Sequence, residues 1–251
     1  MSSASPEKID RRHSAAGLTI FCGLMALLIG ALLALGGWQI ERLSWKRELI
    51  ARVDQRVHAE PSPAPARAEW SGVNRSNDEY RHVTARGTLQ NDRETLVYTS
   101  TALGPGYWVI TPLALADGTS ILINRGFVPT GMRDPVTRPE GQIAGPVSIT
   151  GLLRLTEPKG TLIKSNDPAN DRWYSRDTAA IAHQRGIAEV APYFIDADGT
   201  PNPGGTPTGG LTQIAFPNNH LVYAITWFVL AAMAIGLLFF VVRGEILARR
   251  A

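Results

Sequence analysis

Cysteine is nearly absent from this chain: its 251 residues hold one, Cys22. That residue lies inside an uncharged run, so the polar middle of the sequence can form neither a disulfide nor a thiolate metal site. A copper carrier of the Cys-x-x-x-Cys type is excluded, and Cys22 itself reads as a small packing residue. Charge of either sign is missing from two stretches, Ser14 to Ile40 and Leu221 to Val242. The net charge is only +3, and no basic stripe with interleaved aromatics occurs, which argues against a nucleic-acid partner. A Gly-rich phosphate loop, a His-Glu-x-x-His and a Gly-x-Ser-x-Gly are also missing, and the scattered Ser, His and Asp show no triad spacing. No enzymatic activity is expected.

The two uncharged stretches carry the strongest positive signal. About 20 helical residues cross a hydrocarbon layer of roughly 30 Å, and both runs are long enough. They predict transmembrane helices over 14–40 and 214–242. A cleaved signal peptide is the rival for the first, because Lys8, Arg11 and Arg12 precede it. Its apolar run exceeds the roughly 7–15 residues of such a segment, however, and Gly36-Gly37-Trp38-Gln39-Ile40 makes a poor cleavage site. Glu7 and Asp10 argue against a mitochondrial transit peptide. Arg243, Arg249 and Arg250 follow the second span, whereas no Lys or Arg lies between Thr200 and His220, which puts the C-terminus in the cytoplasm. Arg42, Lys46, Arg47, Arg52 and Arg56 after the first span point the other way. The second span is decisive, because the loop after the first is too long for the charge rule. The layout is a cytoplasmic N-terminus (1–13), a helix extension and linker (41–60), a periplasmic β-rich domain with linkers (61–213) and a cytoplasmic C-terminus (243–251). The expected location is a bacterial inner membrane.

Between the spans, Trp38, Arg42, Trp45 and Leu49 recur at helical spacing and extend the first helix to about Val57. Pro61, Pro63 and Pro65 then predict an unpacked, polyproline-like spacer. Runs rich in Val, Ile, Thr and aromatics predict strands over 80–89, 95–100, 108–115, 120–128, 147–155 and 193–196, bounded by Gly, Pro, Asn and Asp. Asp117-Gly118 marks a hairpin. One short helix is predicted over 178–185, with Asp177 as its N-cap and Gly186 as its C-cap. The Gly- and Pro-rich stretch 198–210 reads as a loop that does not pack. The fold class is α+β, with two transmembrane helices flanking an extracytoplasmic antiparallel β-sheet or small barrel.

Candidate chemistry gathers where the second span begins. On a helix starting near Asn218, residues His220, Tyr223, Ala224, Trp227 and Ala231 fall on one face. An imidazole, two aromatics and small residues suit a flat ligand such as a porphyrin, for which a neutral histidine nitrogen is a usual axial donor. The same residues equally suit an aromatic interfacial belt with a wetted histidine. At the matching height of the first helix, Arg42 among Trp38, Gln39 and Trp45 could pair with a propionate or simply snorkel. Arg81 and Arg125 could form a docking surface or tie down turn carbonyls.

Four blocks in order carry a family resemblance: Leu35-Gly36-Gly37-Trp38-Gln39-Ile40-Glu41-Arg42-Leu43-Ser44-Trp45-Lys46, Tyr80-Arg81 through Gly87, Asn124-Arg125-Gly126-Phe127-Val128-Pro129, and Asn218-Asn219-His220 through Trp227. Together they resemble the surfeit-locus family of cytochrome c oxidase assembly factors. That resemblance implies two spans around a large extracytoplasmic domain. It also implies binding of haem a and support of its insertion into oxidase subunit I, with haem a synthase as a further candidate partner. His220 matches the family's histidine, which implies a haem-iron ligand, and Trp227 matches its tryptophan. Phe127 departs from the tryptophan of many relatives. The alternative is a cofactor-free scaffold that clamps an oxidase subunit through its β-domain.

Overall fold

A computed structural model describes residues 15–250, apart from 159, 162, 163, 213 and 215. The expected N-terminal segment 1–13, with Lys8, Arg11 and Arg12, lies outside the described residues. The chain divides into two compact units, one formed by its two ends, up to Ile50 and from Ala215, the other spanning Ala51–Ile214.

The first unit is a helix pair. Helix α1 runs Ala15–Val57 without interruption, and α4 runs His220–Arg250. Both are long and apolar enough to cross a membrane. Their contact follows a three-then-four spacing: Met25, Leu32, Gly36, Gln39 and Leu43 are buried on α1, and Ala224, Ala231 and Ala234 on α4. Met25, Leu32, Ala231 and Ala234 form one cluster, with Phe21, Ile29, Trp227 and Leu238 packed around it. Gly36 faces the Phe228 ring, where a Cβ would come within 2.6 Å of a ring carbon. Elsewhere Leu27, Met233 and Phe240 stand exposed, as expected of helix faces turned to lipid.

The second unit is a mixed, mostly antiparallel sheet of seven strands in the order β1-β2-β6-β7-β5-β4-β3. The strands are β1 (Ser62–Pro63), β2 (His82–Leu89), β3 (Thr95–Thr101), β4 (Gly104–Ala114), β5 (Ser120–Pro129), β6 (Pro146–Leu155) and β7 (Val190–Ala197); a single-turn α2 (Arg75–Asp78) precedes β2. The end of β2 leaves β6 and pairs with β4, closing β2, β6, β7, β5 and β4 into a small barrel. β5 and β7 are the inner pair and run parallel. Every residue of β5 but Pro129 is buried, because its two faces serve two cores. Ile121 and Ile123 join Val83, Leu113, Leu153, Tyr193 and Ile195 in one. Leu122 joins Val97, Ile110, Trp173, Ile181 and Phe194 in the other. Burial on both sides explains why Ile121-Leu122-Ile123 in β5 is apolar without alternating. Helix α3 (Thr178–Gln184) closes the second core with Ile181, and the Asp177 carboxylate accepts from Ala180 N–H as its N-cap.

Two expectations need correction. The proline segment is not a free spacer: β1 pairs in parallel with β2, Ala64 N–H bonds Thr84 O at 2.9 Å, and Pro65 O accepts from Trp70 Nε1 and the Tyr193 hydroxyl. Proline is tolerated because this is the sheet's edge. Nor is 198–210 unpacked. Thr208 and Phe127 exchange backbone hydrogen bonds of 2.9 and 2.8 Å. Gly126 sits at φ +128°, and a Cβ there would lie 2.2 Å from Thr208 O, so glycine is what lets the two backbones meet. The long excursion is held by bonds between segments, which composition does not reveal.

Candidate functional site

His220 is the first residue of α4, and helical bonding begins just before it with Tyr223 N–H to Asn219 O. Its Nδ1 lies 2.7 Å from Oε1 of Gln39. An amide oxygen only accepts, so Nδ1 carries the proton and the Nε2 lone pair is left as the donor. Gln39 is 9% exposed, so this bond fixes the imidazole without adding charge. Such an outer partner orients a histidine for metal binding.

The five residues expected on one face do not all share it. His220, Ala224, Trp227 and Ala231 lie along the stripe that meets α1, whereas Tyr223 is 55% exposed. A step of three residues turns a helix short of a full circle and a step of four turns it past one, so Tyr223 and Ala224 fall on opposite sides of His220. The alanines do admit a close neighbour, but within this unit it is α1: Ala231 packs on Met25 and Leu32. Trp227 joins the same packing, yet among the described residues its buried Nε1 has no partner, nor has Asn218 Oδ1. Among the described residues two hydrogen-bonding atoms, one at the start of α4 and one two turns along it, are therefore left without a partner, at a cost of about 1–3 kcal/mol each.

Arg42 stands on the exposed side of α1, its guanidinium 5.7 Å from the Trp38 ring and 5.4 Å from that of Trp45. Half-exposed indoles around a cation are the arrangement of an interfacial belt. The structure thus brings together His220, Gln39 and Trp227 and turns Tyr223 and Arg42 outward. Gln39 lies in the Leu35–Lys46 block but has no role assigned there, and the further signal that marks it is a polar residue in register with the buried stripe Leu32, Gly36, Leu43.

In the second unit, Arg81 and Arg125 are structural, not a docking surface. Arg81 pairs with Asp78 at 2.7 Å. Arg125 is 2% exposed and donates to Gly141 O, Asn202 Oδ1 and Asn91 Oδ1, pinning loops to the barrel. Burial lowers its pKa to about 10, so it is still charged at neutral pH. A second network escaped sequence reasoning altogether. Asp196, 3% exposed, accepts from Asn124, Arg154, Arg176 and Thr212 at 2.7, 3.1, 2.9 and 3.1 Å. Arg154 also holds Glu79, and Arg176 holds Glu157. Each of these carboxylates meets a guanidinium, although Glu79 Oε2 is buried with no hydrogen-bond partner among the described residues, and among the described residues no group of three or more His, Cys, Asp or Glu is placed to hold a metal ion.

Comparison with known proteins bears on the helix pair and barrel together. The model of the SURF1 family matches residues 26–232. This chain belongs to the SURF1 family. It is 38% identical over 214 residues to Surfeit locus protein 1 of Rattus norvegicus, covering 79% of this chain and 68% of that one. The Homo sapiens protein of the same name is 38% identical over 215 residues, 79% and 69% of the two chains. A SURF1-like protein of Drosophila melanogaster is 32% identical over 230 residues, 84% and 74%. The surfeit-locus resemblance is therefore established, and with SURF1 membership goes the general role of an assembly factor for cytochrome c oxidase.

Proposed function

We propose that this SURF1 protein carries haem a at the start of α4 and supports its insertion into oxidase subunit I. The observation that supports the reading is the locked imidazole: Gln39 holds Nδ1 of His220, which leaves Nε2 free to ligate iron. Asn218 Oδ1, without a partner among the described residues, suits a donor group arriving beside it, and outward-facing Tyr223 offers an aromatic surface. The buried alanine stripe belongs to helix packing, so the cargo is held at the mouth of α4. One donor suits a carrier, because release breaks a single metal bond. In this reading both long helices span a bacterial inner membrane with the barrel in the periplasm, and haem a synthase is the source from which the cargo is received.

Absorption spectra of purified protein loaded with haem test the proposal. His220→Ala should lose the haem band, and Gln39→Leu should weaken binding about 10- to 100-fold, the usual loss on removing an outer partner. Equal haem uptake by His220→Ala and wild type would defeat the carrier reading and favour the cofactor-free scaffold, in which the barrel clamps an oxidase subunit.

A further inference from the structure

A trough beside the outer edge of β3 has no part in any role described so far. A cavity of about 550 Å³ is lined by Tyr98, Tyr107, Tyr174, Arg133, Lys164 and Arg172, among others. It adjoins one of about 720 Å³ that shares Leu96, Arg133 and Asp171 with it. The tyrosines meet edge to face, with Tyr98 5.9 Å from Tyr107 and 6.3 Å from Tyr174. Lys164 Nζ lies 5.0 Å from the Tyr174 ring and 5.7 Å from Tyr98, and Arg133 lies 5.4 Å from Tyr107. The carboxylate of the smaller cavity, Asp171, is already engaged by Arg185 at 2.7 Å and Trp173 Nε1 at 2.8 Å, and the larger cavity adds Asp92, Glu94 and Asp134, which meet Arg93, Arg138 and the Val136 N–H. Among the described residues, no carboxylate forms an ion pair with Lys164 or Arg172, and Arg133 reaches Asp171 only through its charge, without an ion pair.

The edge of β3 is covered by Trp173 at the trough and opens just past it, where Thr99, Ser100 and Thr101 line a separate cavity of about 230 Å³. β3 ends the sheet order, and beyond β4 its edge bonds at Tyr98, whose N–H donates to Trp173 O at 2.8 Å. Among the described residues, Thr99, Ser100 and Thr101 bond no backbone outside β4. An open edge of this kind accepts an added strand.

We infer that the trough docks an extended acidic segment of a partner protein. Its carboxylates meet Arg133, Lys164 and Arg172, its chain follows the free edge of β3, and its side chains lie on the tyrosine faces. A small ligand is disfavoured because such sites enclose most of their ligand, whereas this trough is long and open. The docking is independent of His220.

The test uses the full chain in detergent and a short fluorescent peptide of alternating Glu and Val. It should bind, its affinity should fall with added salt, and the Gln-Val counterpart should bind about tenfold or more weakly. The double change Arg133→Glu with Lys164→Glu should weaken binding by at least about tenfold, with the thermal unfolding midpoint retained. If that pair misfolds, Lys164→Gln and Arg172→Gln singly should each weaken binding about threefold. His220→Ala should leave it unchanged. The inference is overturned if the Gln-Val peptide binds equally well, or if the charge changes have no effect. It is equally overturned if benzene tricarboxylate or an oligothymidylate binds as tightly as the acidic peptide, since the occupant would then be a small anion or a nucleic acid.

Discussion

At the scale of single residues, Asp196 and Glu157 show how charge is kept inside the barrel wall. Asp196 neutralises Arg154 and Arg176, so Asp196→Ala would leave two guanidiniums without their shared partner. Such a loss costs about 3–5 kcal/mol, measurable as a shift in the denaturant midpoint. Glu157 is subtler. Burial pushes its carboxyl up, but the bonds and charge of Arg176 outweigh burial and hold it below the ordinary 4.5. A carboxyl depressed in the folded state adds stability above its unfolded pKa and loses it as pH falls through the folded one. Glu157→Gln should therefore unfold at lower temperature than wild type at neutral pH, and the gap should close under acid conditions below the ordinary carboxylate range. A gap that stays constant with pH would show that Glu157 acts by packing alone. His220 was legible because an ionisable group at the mouth of an apolar run stands out. Asp196, Arg154 and Arg176 were not, since they come from β7, β6 and the turn before α3, and no spacing along the chain links them.

At the scale of elements, what periodicity encodes was readable and what distant bonds create was not. The helical spacing of Trp38, Arg42, Trp45 and Leu49 carried α1 to Val57, and the apolar runs gave the strands to within a few residues. Val190–Pro192 escaped notice, because its strand forms by parallel pairing with β5 across an intervening β6 and α3. The Thr208–Phe127 ladder was hidden for the same reason, and Gly126 makes it testable. Gly126→Ala faces both a left-handed φ and a backbone oxygen 2.2 Å from the new Cβ, which should destabilise the barrel by about 2–4 kcal/mol. Gly118 offers the control, with φ +85° and open space around its Cβ. There an alanine should cost only about 1 kcal/mol. Equal losses at the two positions, measured by chemical denaturation, would mean that the 198–210 segment does not lean on β5.

For the whole molecule, the two units divide the work. Both apolar cores of the barrel draw only on residues between Ala64 and Ala197, and its charged network closes at Thr212. The helix pair has a cluster of its own and holds His220 with Gln39. A fragment covering residues 58–212 keeps both apolar cores and the charged network and gives up only Val53 and the bonds of Arg56 to Ser76 and Glu79 at the end of α1, and a domain of this size holds enough core to fold alone. Expressed without either helix, it should be soluble and unfold in one cooperative step by circular dichroism. It should bind the acidic peptide with the affinity of the full chain and take up no haem. A fragment that stays unfolded would show that the barrel depends on the helices for its stability. A fragment that binds haem would move the carrier site off His220 and into the barrel, which the separation of the two clusters argues against.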